Sequence, residues 1–300
     1  MANPKKLLSQ LSKTGPHKVL RGDMAIVGLP GTVYAPAGGK DLPGVAFGHG
    51  WLTGAKQYNK TLAHLASWGI VAAAPTTEKG MLGSDQGLAA DLETTLSIIT
   101  EVRLGAGDIT VHKQRLAVAG HGFGASAATL AASRSSKAKA LAALYPAPTS
   151  SAVLPAAAEV RQSALILAAP GELESMTSNA LALRRALAGQ SVLRLVPKSD
   201  NRGLAEGFSV RARLGAGGND KKTQKLTRAV LTGFLLHQLT GDVTYAAFSD
   251  PAAELGKLMT IDPDALAPGM EEIVDPLTKL LKGYRGCSRS NAVAQRLAPH

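Results

Sequence analysis

The chain has 300 residues, 45% of them apolar and 18% charged, which fits a globular protein with a sizeable core and excludes low-complexity disorder. No run approaches the ~18 apolar residues of a membrane span, the basic N terminus lacks the apolar stretch of a signal peptide, and one cysteine, Cys287, excludes an internal disulfide or a cysteine-based metal cluster. The formal charge of +11 is clustered, so its placement says more about partners than its sum. In chain order, residues 1–22 form a basic segment without an acid. From there to residue 250 short apolar runs alternate with helical patterns, the order of an α/β domain with a mostly parallel central sheet and helices on both faces. The apolar runs predict strands at 24–27, 32–35, 45–48, 70–74, 115–119, 138–144, 164–168 and 192–196. Between them, Leu88, Leu92, Leu96 and Ile99 recur at helical spacing, and Leu226, Val230, Phe234 and Leu235 mark a last strong helix over 221–239. Residues 198–220 read as a long loop, and 251–300 as a helical extension with a basic tail.

The segment from Arg115 to Ala132 carries the chemistry-bearing pattern. An apolar strand runs into Gly120-His121-Gly122-Phe123-Gly124 and then into a small-residue helix. That is the context of a nucleophile elbow, Gly-X-Ser-X-Gly, whose glycines let strand and helix close up while the central residue takes a strained backbone conformation. Here the central residue is Gly122.

With three further blocks, this turn resembles the α/β-hydrolase superfamily. Within it the chain is similar to actinobacterial cutinases, triacylglycerol lipases and poly(ethylene terephthalate) hydrolases, with dienelactone hydrolases as wider relatives. The blocks are Gly31-Thr32-Val33-Tyr34-Ala35-Pro36; Gly44 to Trp51 followed by Leu65-Ala66-Ser67-Trp68-Gly69-Ile70-Val71; and Asp242 to Phe248 after the last helix. The resemblance implies a Ser, acid and His machinery, but its nucleophile position falls on Gly122, its acid on Glu172 and its His on Asp200, beside Asn201. Glycine offers no attacking oxygen, and a carboxylate cannot replace the imidazole that takes the proton near neutral pH. The oxyanion positions fall on the backbone amides of Trp51 and Phe123, which any non-proline residue supplies.

The other candidates read as structural. His49 and His121 stand beside the glycines of the two site loops, where they brace the loops. Ser126 reads as a helix-start hydroxyl, and Ser84-Asp85 as a helix cap. Trp51 either lines a pocket or closes the core. His112 and His237 stand alone, so no metal site is expected. No glycine-rich phosphate loop is present, so no cofactor is expected.

Residues 184–228 hold eleven bases against Asp200, Glu206 and Asp220. Arg202, Arg211, Arg213, Lys221 and Lys222 are the residues expected to face an anionic surface. Phe208 is the one aromatic in that stretch, which argues against single-stranded nucleic acid held by stacking and puts acidic lipid or an acidic protein ahead of it. The reading that joins these observations is a non-catalytic hydrolase-like protein that binds a protein partner or an acyl ligand in the cytoplasm, with contact to the inner membrane face as an extension. Its rivals are an esterase with rearranged residues, served by Ser84 or Ser126, and a basic docking module.

Overall fold

The computed structural model describes residues 3–200, 204–206 and 221–262. Seven of the expected strands form where runs of Val, Ala, Leu and Ile can be buried on both faces, as a parallel sheet covered on two sides requires. They are β2 (Gly31–Pro36), β3 (Leu42–Gly48), β4 (Val71–Pro75), β5 (Val111–His121), β6 (Ala138–Leu144), β7 (Ser163–Ala168) and β8 (Ser191–Leu195). Two more strands lie at the edges, β1 (Val19–Asp23) and β9 (Met259–Ile261). The sheet order is β1-β2-β4-β3-β5-β6-β7-β8-β9. From β4 through β8 neighbouring strands are parallel, and β1, β2 and β9 join antiparallel.

The expected strand at 24–27 is instead a 3-10 turn, Met24–Val27. The Asp23 carboxylate accepts the Ala25 N–H at 2.9 Å, and Gly28 at φ +88° ends the turn. Only Met24 is buried there, while Ile26 and Val27 face solvent.

Helices cover both faces. Helices α1 (Pro4–Leu11), α2 (Asn59–Ser67) and α7 (Lys221–Thr240) pack on one side; α3 (Asp85–Glu101), α4 (Phe123–Arg134), α5 (Val153–Ala157) and α6 (Ala180–Ala186) pack on the other. α1 starts with an Asn3 side-chain cap and proline in its first turn, and it buries Leu7, Leu8 and Leu11. α4 is buried from Phe123 to Ala132, consistent with a helix that is apolar on all sides.

After β3 the chain moves outward to β4, then returns past β3 to β5 and continues the other way. The carboxyl ends of β3 and β5 therefore flank a topological switch point, where open α/β sheets form their crevices. No helix among the described residues is long and apolar enough to cross a membrane.

Arg194 departs most from the surface role expected of the basic stretch. It lies fully buried on β8 and donates to the carbonyls of Asp250 (2.6 Å), Ala253 (3.0 Å) and Ala247 (3.3 Å) and to Thr260 Oγ1 (2.8 Å). The guanidinium fork clasps the segment that leads into β9. Burial pulls its pKa down to about 10, still well above neutral.

Candidate functional site

At the switch point β5 ends at His121 and α4 begins at Phe123, with Gly122 between them at φ 56°, ψ −115°. L side chains rarely occupy that region. A Cβ built on Gly122 meets nothing within 4 Å, so the apex of the turn opens into free space. Its neighbours behave oppositely. A Cβ on Gly120 would strike the Gly124 backbone, and one on Gly124 would strike Gly48 and His49 backbone atoms, all closer than the 3.0 Å that real Cβ atoms respect. Three backbone segments thus meet through glycine. The Gly122 N–H donates to Leu144 O at 3.0 Å, and its carbonyl accepts from Ala125 at 3.0 Å and Ala147 at 3.3 Å. Phe123 is the first residue of α4, so its N–H has no partner within the helix.

The loop after β3 is tied to this turn by side chains. Tyr58 Oη accepts the Gly50 N–H at 2.9 Å and lies 2.8 Å from His121 Nδ1. Burial raises the Tyr58 pKa to about 12, so the phenol keeps its proton at neutral pH and can donate it to that nitrogen. His49 is buried, its Nδ1 2.9 Å from Gly50 O and its Nε2 2.7 Å from Thr77 O. A neutral imidazole N–H donates to one of these carbonyls at a time, and the ring stands between the loop after β3 and the loop after β4. Trp51 is 55% exposed, so it does not close the core.

On the other side of His121, the Tyr145 ring stands edge-on at 5.8 Å, and Tyr145 Oη is 2.9 Å from Thr227 Oγ1. Burial, and to a smaller extent the carboxylate of Asp200, raises the Tyr145 pKa, to about 12. Asp200 is half-buried beside this tyrosine, and Glu172 is half-buried in the loop after β7.

The serines near the turn are occupied. Buried Ser126 donates its hydroxyl to Ala147 O at 2.7 Å, a tighter bond than a helix-start position alone implies. Ser84 accepts the Gly87 N–H at 3.1 Å and caps α3, and Asp85 accepts from Thr149 Oγ1 at 2.6 Å. His112 accepts the Gln114 N–H at 3.1 Å. Among the described residues no group of three metal-ligating side chains comes together.

Glu206 plays a part that no local pattern announces. Its buried carboxylate accepts the N–H groups of Lys60 (2.7 Å) and Thr61 (2.8 Å), the Thr61 hydroxyl (2.9 Å) and Arg228 Nη1 (3.3 Å). An acid far along the chain thereby caps the amino end of α2, where free amides and the helix dipole favour negative charge. Burial raises its pKa against the lowering effect of these partners. Arg228 is buried as its counter-ion, so, like Arg194, it is not part of a solvent-facing basic surface. Lys221 and Lys222 are exposed at the start of α7. Arg202, Arg211 and Arg213 lie outside the described residues.

At the opposite edge of the sheet an open pocket of about 240 Å³ is lined by Ser163, Gln190, Phe234, His237, Gln238 and Ser249. There His237 Nδ1 is 2.8 Å from Ser249 Oγ, so the histidine expected to stand alone has a hydroxyl partner. Compared with known protein families and with curated proteins, the sequence has no match.

Proposed function

We propose that this chain is an α/β-hydrolase relative that no longer hydrolyses esters and works by binding. The observation that carries this reading is Gly122. Its backbone holds the dihedral angles an elbow imposes on a nucleophile, yet the position supplies no oxygen. Chain order supports it as well: the loops bearing Trp51, Gly122, Glu172 and Asp200 follow β3, β5, β7 and β8 at one edge of the sheet. The amides of Trp51 and Phe123 are the groups that would hold a carbonyl or acyl oxygen there. Against an enzyme with rearranged residues stand the engagements of Ser126 and Ser84 with backbone groups.

Labelling with a fluorophosphonate probe tests this. The parent protein should show no modified serine, and ester hydrolysis should not exceed the ~10³–10⁴-fold acceleration that binding and oxyanion donors give without a nucleophile. Stoichiometric modification of Ser84 or Ser126 would establish the rearranged enzyme instead.

A further inference from the structure

The loops at the carboxyl ends of the parallel strands carry large apolar side chains in solvent. Trp51 and Leu52, after β3, are 55% and 50% exposed; Met81 and Leu82, after β4, are 77% and 99% exposed; Met176, after β7, is 70% exposed. These loops are fastened into one edge. His49 links the first two, Thr149 bonds Asp85 at the end of the second, and the Asn179 N–H donates to Pro146 O at 3.1 Å. Leu52 also holds φ +54°, so the exposed tip of its loop is backbone-strained rather than relaxed toward the core. Apolar tips on fixed loops suit an apolar phase better than water.

The charge around them selects the phase. Lys56 and Lys79 stand exposed on the two leading loops, Lys198 follows β8, and Lys221 opens α7. The first turns of α7 belong to the same edge, because Thr227 touches Tyr145 and Arg228 reaches Glu206. On these loops Glu174 is the exposed carboxylate among the described residues; Glu78, which accepts the Ser84 N–H, Glu172 and Asp200 are half-buried, and Asp85 and Glu206 are buried and hydrogen-bonded, so the fully exposed charge is mostly that of the lysines.

We propose that this edge docks on an anionic membrane surface, the apolar tips entering the boundary between headgroups and acyl chains while the lysines meet lipid phosphates. An acidic protein would satisfy the lysines but would leave Leu82 and Met81 without an apolar phase to enter. The proposal stands whether or not the elbow turns over esters, so its test reads vesicle binding alone.

The experiment is flotation of the full chain with vesicles of phosphatidylglycerol and phosphatidylcholine in equal parts, together with tryptophan emission. Binding should blue-shift the emission, and Trp51→Phe should remove the shift because Trp68 is tied to Lys13 O away from these loops. Met81→Ser with Leu82→Ser, at positions too exposed to disturb folding, should weaken binding more than about tenfold. Lys79→Gln and Lys221→Gln should each weaken it about fivefold, and vesicles of phosphatidylcholine alone should bind at least about tenfold more weakly. Circular dichroism checks that each variant is folded. Absence of binding by the parent, undiminished binding by the Met81 and Leu82 double variant, or an unshifted Trp51 emission in the bound state would each overturn the proposal.

Discussion

At the elbow, Gly48, Gly120 and Gly124 bring three backbone segments together because none has a side chain; at β8, Arg194 secures the path into β9 with one of the longest side chains available, bonding to three carbonyls and a hydroxyl. The first junction is held by close backbone packing, backbone hydrogen bonds and the Tyr58 contacts to Gly50 and His121, and none of these involves a side chain at the apex residue. Loss of a nucleophile at position 122 would therefore leave its geometry standing. The second junction depends on a single functional group, and so does the Glu206 cap on α2. The packed glycines Gly120 and Gly124 should be intolerant of added atoms, whereas the side-chain clasps should be sensitive to truncation.

The largest effect is expected from Gly124→Ala, whose Cβ would overlap Gly48 backbone atoms. With no flexible side chain to give way, the cost should exceed about 4 kcal/mol, and the variant should fail to accumulate as folded protein. A well-folded alanine variant, measured by thermal and denaturant unfolding, would mean that the three segments can separate. Arg194→Met should come next, at about 3–5 kcal/mol, because it removes four hydrogen bonds made by a buried charged donor. Hydrogen exchange should then rise selectively in β9, and Arg194→Lys should recover part of the loss. Exchange spread evenly over the sheet would show that Arg194 is not a local clasp.

Much of the fold was legible because β2 through β8 are apolar runs long enough to stand buried on both faces. The glycine turn between β5 and α4 was legible for a related reason: its glycines are spaced by local geometry. What escaped was set by distant partners or by edges. β1 pairs on one side only and shows mostly exposed residues, so it lacks the apolar signature. The apolar residues of 24–27 imitate a strand, but the Asp23 cap and the left-handed Gly28 turn the chain at once. Arg194 and Arg228 count as surface charge until their acceptors, supplied by other elements, are seen. Tyr58 stands at helical spacing from Leu62 and Leu65 in the sequence, yet it sits in a 3-10 turn against His121, a contact that no local spacing announces.

His64 on α2 is buried beside Arg228, its Nε2 without a hydrogen-bond partner, and its pKa is pulled from 6.5 to about 4, first by burial and then by that guanidinium. The folded state therefore favours neutral imidazole. Its contribution is complete above pH 6.5 and is lost as pH falls from there toward 4, because the unfolded chain takes up the proton first; the full loss is about 3 kcal/mol. Unfolding free energies measured across this window should decline in the parent and decline less in His64→Leu. Identical slopes would remove His64 from the account.

Gly122→Ser bears most directly on the claim that the elbow persists as geometry without chemistry. Space for the side chain is open, so the expected cost is that of a non-glycine residue in this backbone region, about 1–3 kcal/mol. The decisive measurement is hydrolysis of a short-chain nitrophenyl ester by this variant beside the parent. On the proposed reading Asp200 stands where an imidazole would be needed, so both should remain at the background set by binding and backbone donors. Turnover by the serine variant clearly above that background would show that a working base still serves the turn and would contradict the account.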